Sequence, residues 1–172
     1  VLSNTLDLQD LEGITVSNHY SQAVSTFDLG YEFAHEVTIT EETFATGAAI
    51  VLHPQRNSEF KSHLVMDLNL AAAIALSEDK ETKLFSVAVL AHELAHVHDV
   101  RMLLNMLPEE FSRKSTSSME DRLHKISMPV WSEYYACRVT AGIDAESTLS
   151  GYIETFLSAL DNFPGRIREE IT

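Results

Sequence analysis

The hydrophobic pattern of the chain changes period along its length, and those changes mark out its elements. The polar opening stretch, "VLSNTLDLQDLEG", is expected to be a loosely attached N-terminal segment over residues 1–14. "ITVS" then reads as a short strand. "NHYSQAVSTFDLGYEF" predicts a helix capped by Asn18, with Tyr20, Ala23, Val24 and Phe27 on one side and Gly30 as its stop. Two strand-like segments follow, "ATGAAIVLHP" and "KSHLVMDLNL". In the second, Leu64, Met66, Leu68 and Leu70 alternate with His63, Val65, Asp67 and Asn69. The polar "QRNSE" between them makes a hairpin the natural connection.

From Ser77 onward the period becomes helical. Ser77 is the expected cap, Glu78, Asp79 and Glu81 suit the first turn, and the helix runs to Pro108. "PEEFSRKSTSSMEDR" is polar and reads as a loop. Another helix is expected from Met128 to Thr140, with Pro129 in its first turn and Gly142 just beyond its end. A last helix begins near Asp144, with Leu149, Tyr152, Ile153, Phe156, Leu157 and Leu160 at helical spacing. No repeat and no linker divides the 172 residues, so a single domain spanning 1–172 is predicted.

Charge narrows the class of partner. Twelve basic residues against 26 acidic ones leave a net charge of −14, a field that repels phosphate backbones and disfavours nucleic acid. The same field does not oppose a divalent cation. Cys137 is the single cysteine, which excludes an internal disulfide. No apolar run approaches the roughly 20 residues of a membrane helix. The expectation is a soluble protein in a reducing, cytoplasmic setting, with no membrane partner.

The chemistry concentrates in "LAHELAHVHD", residues 90–99. At about 100° per residue, His92 and His96 lie roughly 40° apart on one face, one turn from each other. Two ligands of one tetrahedral zinc need that arrangement. Glu93 sits beside the face, angled away from ligation but within reach of a water on the metal, where it can act as a base. Val87, Leu90, Leu94 and Val97 gather on the opposite side, while Phe85, Val89, Val100 and Leu103 flank the histidines. A helix apolar on two sides is buried between layers. Buried histidines need partners, and a metal or a set of hydrogen bonds can supply them. His98 points away from the ligand face and reads as structural. Asp99 lies on that face, where it either orients a ligand histidine or is simply solvated.

A catalytic zinc usually keeps three protein ligands. Glu133 in "PVWSEYYACRVTAG" is the best third, because Val130, Ala136, Cys137, Thr140 and Ala141 surround it with mostly small side chains that permit close helix packing. Trp131, Tyr135 and Arg138 are expected on the other side, anchoring the helix. Glu109, Glu110, Glu120 and Asp121 compete from the polar stretch, where solvation is easier. His124 and Tyr134 are candidate hydrogen-bond donors to a developing oxyanion. Cys137 reads as a small buried spacer.

With "HELAH" and the later "EYYACR", the chain resembles the gluzincin type of zincin metallopeptidase, above all the compact ImmA/IrrE-type bacterial proteins. The resemblance spans about residues 15–142. It implies an α+β, zincin-like fold: a small antiparallel or mixed sheet packed on a helical layer with a buried HExxH helix. It also implies one Zn2+ on His92, His96 and Glu133, with Glu93 as general base for water attack on a peptide carbonyl. A peptide or protein substrate would pair with the edge of the sheet, at the 45–54 or the 61–70 segment. Many gluzincins carry an aspartate four residues after the ligand glutamate, and here that position is Cys137. The leading expectation is therefore a zinc-dependent hydrolase, a metallopeptidase. A catalytically inactive zincin-fold binding or regulatory module with a structural zinc is the alternative, and a metal-free helical interaction domain is the third.

Overall fold

The computed structural model describes residues 6–30, 41–42, 45–57, 59–107, 118–143, 149, 150, 153 and 157. In chain order its elements are β1 (Leu11–Ser17), α1 (Tyr20–Ser25), β2 (Glu41–Glu42), β3 (Ala45–Thr46), β4 (Ala49–Leu52), β5 (Gln55–Arg56), β6 (Glu59–Phe60), β7 (Ser62–Asp67), α2 (Leu68–Leu76), α3 (Lys80–Met106) and α4 (Ser118–Thr140). The fold is mixed α+β. Its main sheet has the order β1-β7-β4, with β7 parallel to β1 and antiparallel to β4. Two small ribbons, β2–β3 and β5–β6, accompany it. The expected hairpin is present as β4 and β7, and "QRNSE" folds as the β5–β6 ribbon with Asn57 at φ 52° in its turn.

Alternation along β7 feeds two cores. Leu64 and Met66 point to one face and join Val51, Leu70 and Val97. Val65 points to the other and joins Tyr20, Val24 and Leu52. The sheet thus separates α3 from α1. Gly13 is required because His63 lies across it: a Cβ there would stand 2.9 Å from the His63 ring.

Several elements differ from the sequence expectation, each for a local or a long-range reason. Residues 6–14 are not loose. Leu6 is buried, β1 starts at Leu11, and Arg101 of α3 clamps the segment. Its Nε donates to Asp7 Oδ2 at 2.7 Å, Nη1 to Asp10 and Nη2 to Gln9 Oε1 at 2.7 Å. Helix α1 is shorter than expected, with His19 rather than Asn18 at its cap position. It ends at Ser25, well before Gly30, whose φ of +72° brings it against Gln55 O.

The alternating pattern from Leu64 does not persist to Leu70. Asp67 accepts a hydrogen bond from Asn69 N–H and so caps α2, and the Leu/Ala-rich run that follows is helical. Ser77 closes α2 instead of opening α3; Asp79, which accepts from Thr82 N–H, is the cap of α3. Helix α4 starts at Ser118, so Pro129 lies inside it rather than in its first turn. Of the last expected helix, residues 149, 150, 153 and 157 are helical, with Leu149, Ile153 and Leu157 exposed. Asp144, Tyr152, Phe156 and Leu160 fall outside the described residues. Among the described residues no helix is long and apolar enough to cross a membrane.

Candidate metal centre

Helix α3 packs on β4, β7, α2 and α4. Ala91, Ala95 and Val97 are at most 1 % exposed, so the neighbouring layers approach the α3 backbone closely. Phe85, expected to flank the histidines in the interior, is 55 % exposed instead. His92 and His96 project from the face that α4 approaches, and α4 brings Glu133 to meet them.

Three donor atoms converge there. His92 Nε2 is 3.1 Å from His96 Nε2, Glu133 Oε2 is 3.4 Å from His92 Nε2, and Glu133 Oε1 is 3.5 Å from His96 Nε2. Among the described residues this His-His-Glu trio is the one group of metal-ligand type brought together. Bonds of about 2.0–2.1 Å arranged tetrahedrally put neighbouring ligands about 3.3 Å apart. Each imidazole nitrogen thus has a neighbouring nitrogen and one Glu133 oxygen at about that separation, and one donor atom from each of the three residues lies within 4.8 Å of the others. Two imidazoles and a carboxylate are also the donor set zinc accepts, so the residues fit the ion.

The electrostatics follow from burial and from crowding of negative charge. Burial opposes the charged form of His92, but a hydrogen bond to Glu133 and the charges of Glu93 and Glu133 outweigh it and raise its pKa. His96 goes the other way, lowered first by burial and then by His92. The same hydrogen bond from His92 lowers the Glu133 pKa. One positive charge, a proton or a metal, thus suits the triangle. Glu93 is pushed up to about 7, chiefly by burial. The Val51 backbone on β4 partly offsets that rise, so the Glu93 carboxylate lies where the HExxH helix meets β4.

A second layer fixes the donors. Ser132 Oγ lies 2.8 Å from His96 Nδ1, the position that orients a histidine whose Nε2 is a ligand. Asp99 is not solvated: it is buried, and Trp131 Nε1 donates to its Oδ1 at 3.0 Å, while Oδ2 has no partner among the described residues. Among the described residues the hydrogen bond to His96 Nδ1 comes from Ser132, not Asp99. His98 is structural, accepting from Asp7 N–H at 2.8 Å and stacking on Tyr135. Trp131 anchors α4 through that one bond while remaining 48 % exposed.

Other sequence candidates stand elsewhere. His124 is exposed on α4 nine residues before Glu133, about 13 Å along the helix axis. Tyr134 is 54 % exposed, and its hydroxyl accepts from Arg138 Nη1 at 3.2 Å. Neither joins the donor triangle. Glu109 and Glu110, and the side chains of Glu120 and Asp121, lie outside the described residues. Cys137 is half-buried and Ala136 fully buried, in keeping with a close approach of α4 to α3.

Sequence reading missed three neighbours. Ser132 directly precedes Glu133, and its role depends on a ring from another helix. His53 follows β4, and alternation from Val51 places it on the α3 face. Its Nδ1 lies 3.2 Å from Ser62 Oγ, and burial, with His96 nearby, lowers its pKa to about 4. Tyr20 is buried and its pKa is raised to about 12, first by burial and then by the charges of Glu93 and Asp67. That Tyr20 feels the charge of Glu93 from the other side of the sheet was not legible from the α1 pattern alone. No family model, curated protein or solved structure matches this chain.

Proposed function

We propose that this protein is a zinc-dependent hydrolase, a metallopeptidase that cleaves a peptide bond with water. One observation carries the reading. Two imidazoles and a carboxylate from two helices converge, with one donor atom from each within 4.8 Å of the others, beside a carboxylate whose pKa of about 7 suits a general base. Zinc at His92, His96 and Glu133 supplies Lewis acidity and makes water reactive near neutral pH.

The protein's own groups account for the rest. Glu93 takes a proton from the attacking water and delivers it to the departing amine, and burial keeps its affinity for that proton high. Ser132 holds the His96 ring in register. An extended substrate requires a free strand edge. The 61–70 segment lacks one, because β7 is paired on both sides, which leaves β4. Among the described residues, the outward-facing Ala49 amide and carbonyl and the Val51 carbonyl of β4 have no strand partner and can pair with a substrate near Glu93.

Two measurements test the proposal. Elemental analysis of protein purified without chelator should find one zinc per chain, and Glu133→Ala should lose it. Glu93→Gln should keep the zinc and lose about 10²–10⁴-fold in kcat on a peptide substrate. A Glu93→Gln variant as active as the parent removes the assigned base. A zinc-loaded parent that cleaves nothing in a broad peptide library favours the structural-zinc binding module.

A further inference from the structure

A cavity of about 680 Å³ opens between the start of α1, the Gly47–Ala48 bend before β4 and the start of α2. Asn18, Tyr20, Gln22, Gly47, Asp67 and Asn69 are among the residues that line it. We propose that this cavity binds the cationic side chain, lysine or arginine, of a peptide lying extended along the free edge of β4. The proposal rests on the metallopeptidase reading for the position of the peptide, and on the cavity itself for the preference.

Charge selects the ligand class. Among the described residues of the lining, Asp67 is the one formally charged side chain, amid amides, hydroxyls and His19. Its Oδ1 accepts from Asn69 N–H at 2.7 Å, and Oδ2 has no described partner. That carboxylate already occupies the positive end of α2, which leaves an anion little to bind. An ammonium or guanidinium instead gains a charge-assisted hydrogen bond.

Reach and room agree with this choice. Gly47 precedes Val51, whose backbone faces Glu93, by four positions, or about 13 Å of extended chain. Ala48 O accepts from Asp67 N–H, so the backbone of Gly47 and Ala49 alternates to the outer edge, where a substrate strand pairs. Gly47 also keeps the cavity open. A Cβ at that position would stand 3.5 Å from the Tyr20 hydroxyl, and anything longer would enter the space. Tyr20 lines the same cavity as Asp67, so its hydroxyl and the Asp67 carboxylate face one space beside Gly47.

The test uses zinc-loaded Glu93→Gln protein, which binds without turnover, and fluorescent dodecapeptides of Ser, Thr and Ala. A single Lys, Arg, norleucine or Glu is walked along the peptide. Lys or Arg at one position should bind about tenfold or more tighter than norleucine there. Asp67→Asn keeps a good helix cap and should abolish that difference. Gly47→Leu should weaken binding of every peptide with a long side chain at the same position. A preference that is absent, that survives Asp67→Asn, or that goes with no measurable binding of any peptide overturns the proposal. His92→Ala separates the two readings: zinc lost with the lysine preference intact upholds the cavity. A parent that never carries zinc but prefers lysine upholds the cavity and ends the hydrolase reading alone.

Discussion

Helix α3 presents Ala91, Ala95 and Val97 to its neighbours with at most 1 % exposed, whereas α4 leaves Met119, Leu123, Ile126 and Val130 each at least 60 % exposed. Both helices carry donors of the same candidate centre. Two of the donors rest on a helix locked into the sheet, and its Arg101 reaches back to clamp the N-terminal segment. The third, Glu133, is 64 % exposed at its side chain on a helix that buries Ala136 and Thr140. Besides Glu133 itself, contacts of Ser132 to His96, Trp131 to Asp99 and Tyr135 to His98 tie that helix to α3. The difference teaches where the energy lies. Apolar burial holds the histidines, while polar contacts and charge bring the glutamate.

Stability measurements can break this contrast most directly. Leu64 is fully buried against the α3 core, so Leu64→Ala should cost about 2–5 kcal/mol in urea unfolding. A loss well under that range would mean that the α3 side is not the stiff partner.

The pH dependence of the metal-free protein sharpens the same side. His53 has its folded pKa lowered to about 4 from 6.5, so its contribution is present above pH 6.5 and is lost as pH falls toward 4. Glu93 is raised to about 7 from 4.5, so its contribution is present below pH 4.5 and is lost as pH rises through 7. Each shift corresponds to about 3 kcal/mol, with opposite sign over nearly the same window. The parent should therefore show a flat profile between pH 4.5 and 6.5. Glu93→Gln should lose thermal stability on acidification, and His53→Asn should gain it. Parallel slopes in the two variants would contradict the pairing.

Ser132→Ala tests the weaker side. Zinc affinity, measured by chelator competition, should fall about 10–100-fold while urea stability of the metal-free chain barely changes. An equal loss of both would make Ser132 a packing residue. The smallest effect is expected at Leu123, which is 60 % exposed on α4. Leu123→Ala should shift stability by less than about 0.5 kcal/mol. A cost near that of Leu64→Ala would show that something covers this face in solution.

The HExxH helix was legible because its signal is short-range: two histidines one turn apart, with apolar positions at the same period around them. The β4–β7 pairing was legible for a similar reason, strict alternation with turn residues between. Where two local signals compete, reading failed. The alternation of "KSHLVMDLNL" continues past Asp67, but a cap followed by Leu and Ala prevails there. Ser77 and Asp79 are both good caps, and the structure assigns the first to an end and the second to a start. Pro129 looks like a first-turn proline, yet Met119, Leu123 and Ile126 extend the helical period upstream through a polar stretch. The N-terminal segment looked loose because Arg101, which holds it, is more than ninety positions away.

Sequence alone determined the α+β class, the face of α3 that carries His92 and His96 and a shortlist in which Glu133 came first, because helix and strand periods are properties of neighbouring residues. Tertiary structure decided that β7 is the central strand, which among the described residues leaves β1 and β4 as the edges. It also decided that Glu133 comes within 3.5 Å of both imidazoles, and that Ser132, His53 and Tyr20 surround the site. Those facts depend on packing between segments far apart in the chain, and no local period encodes them.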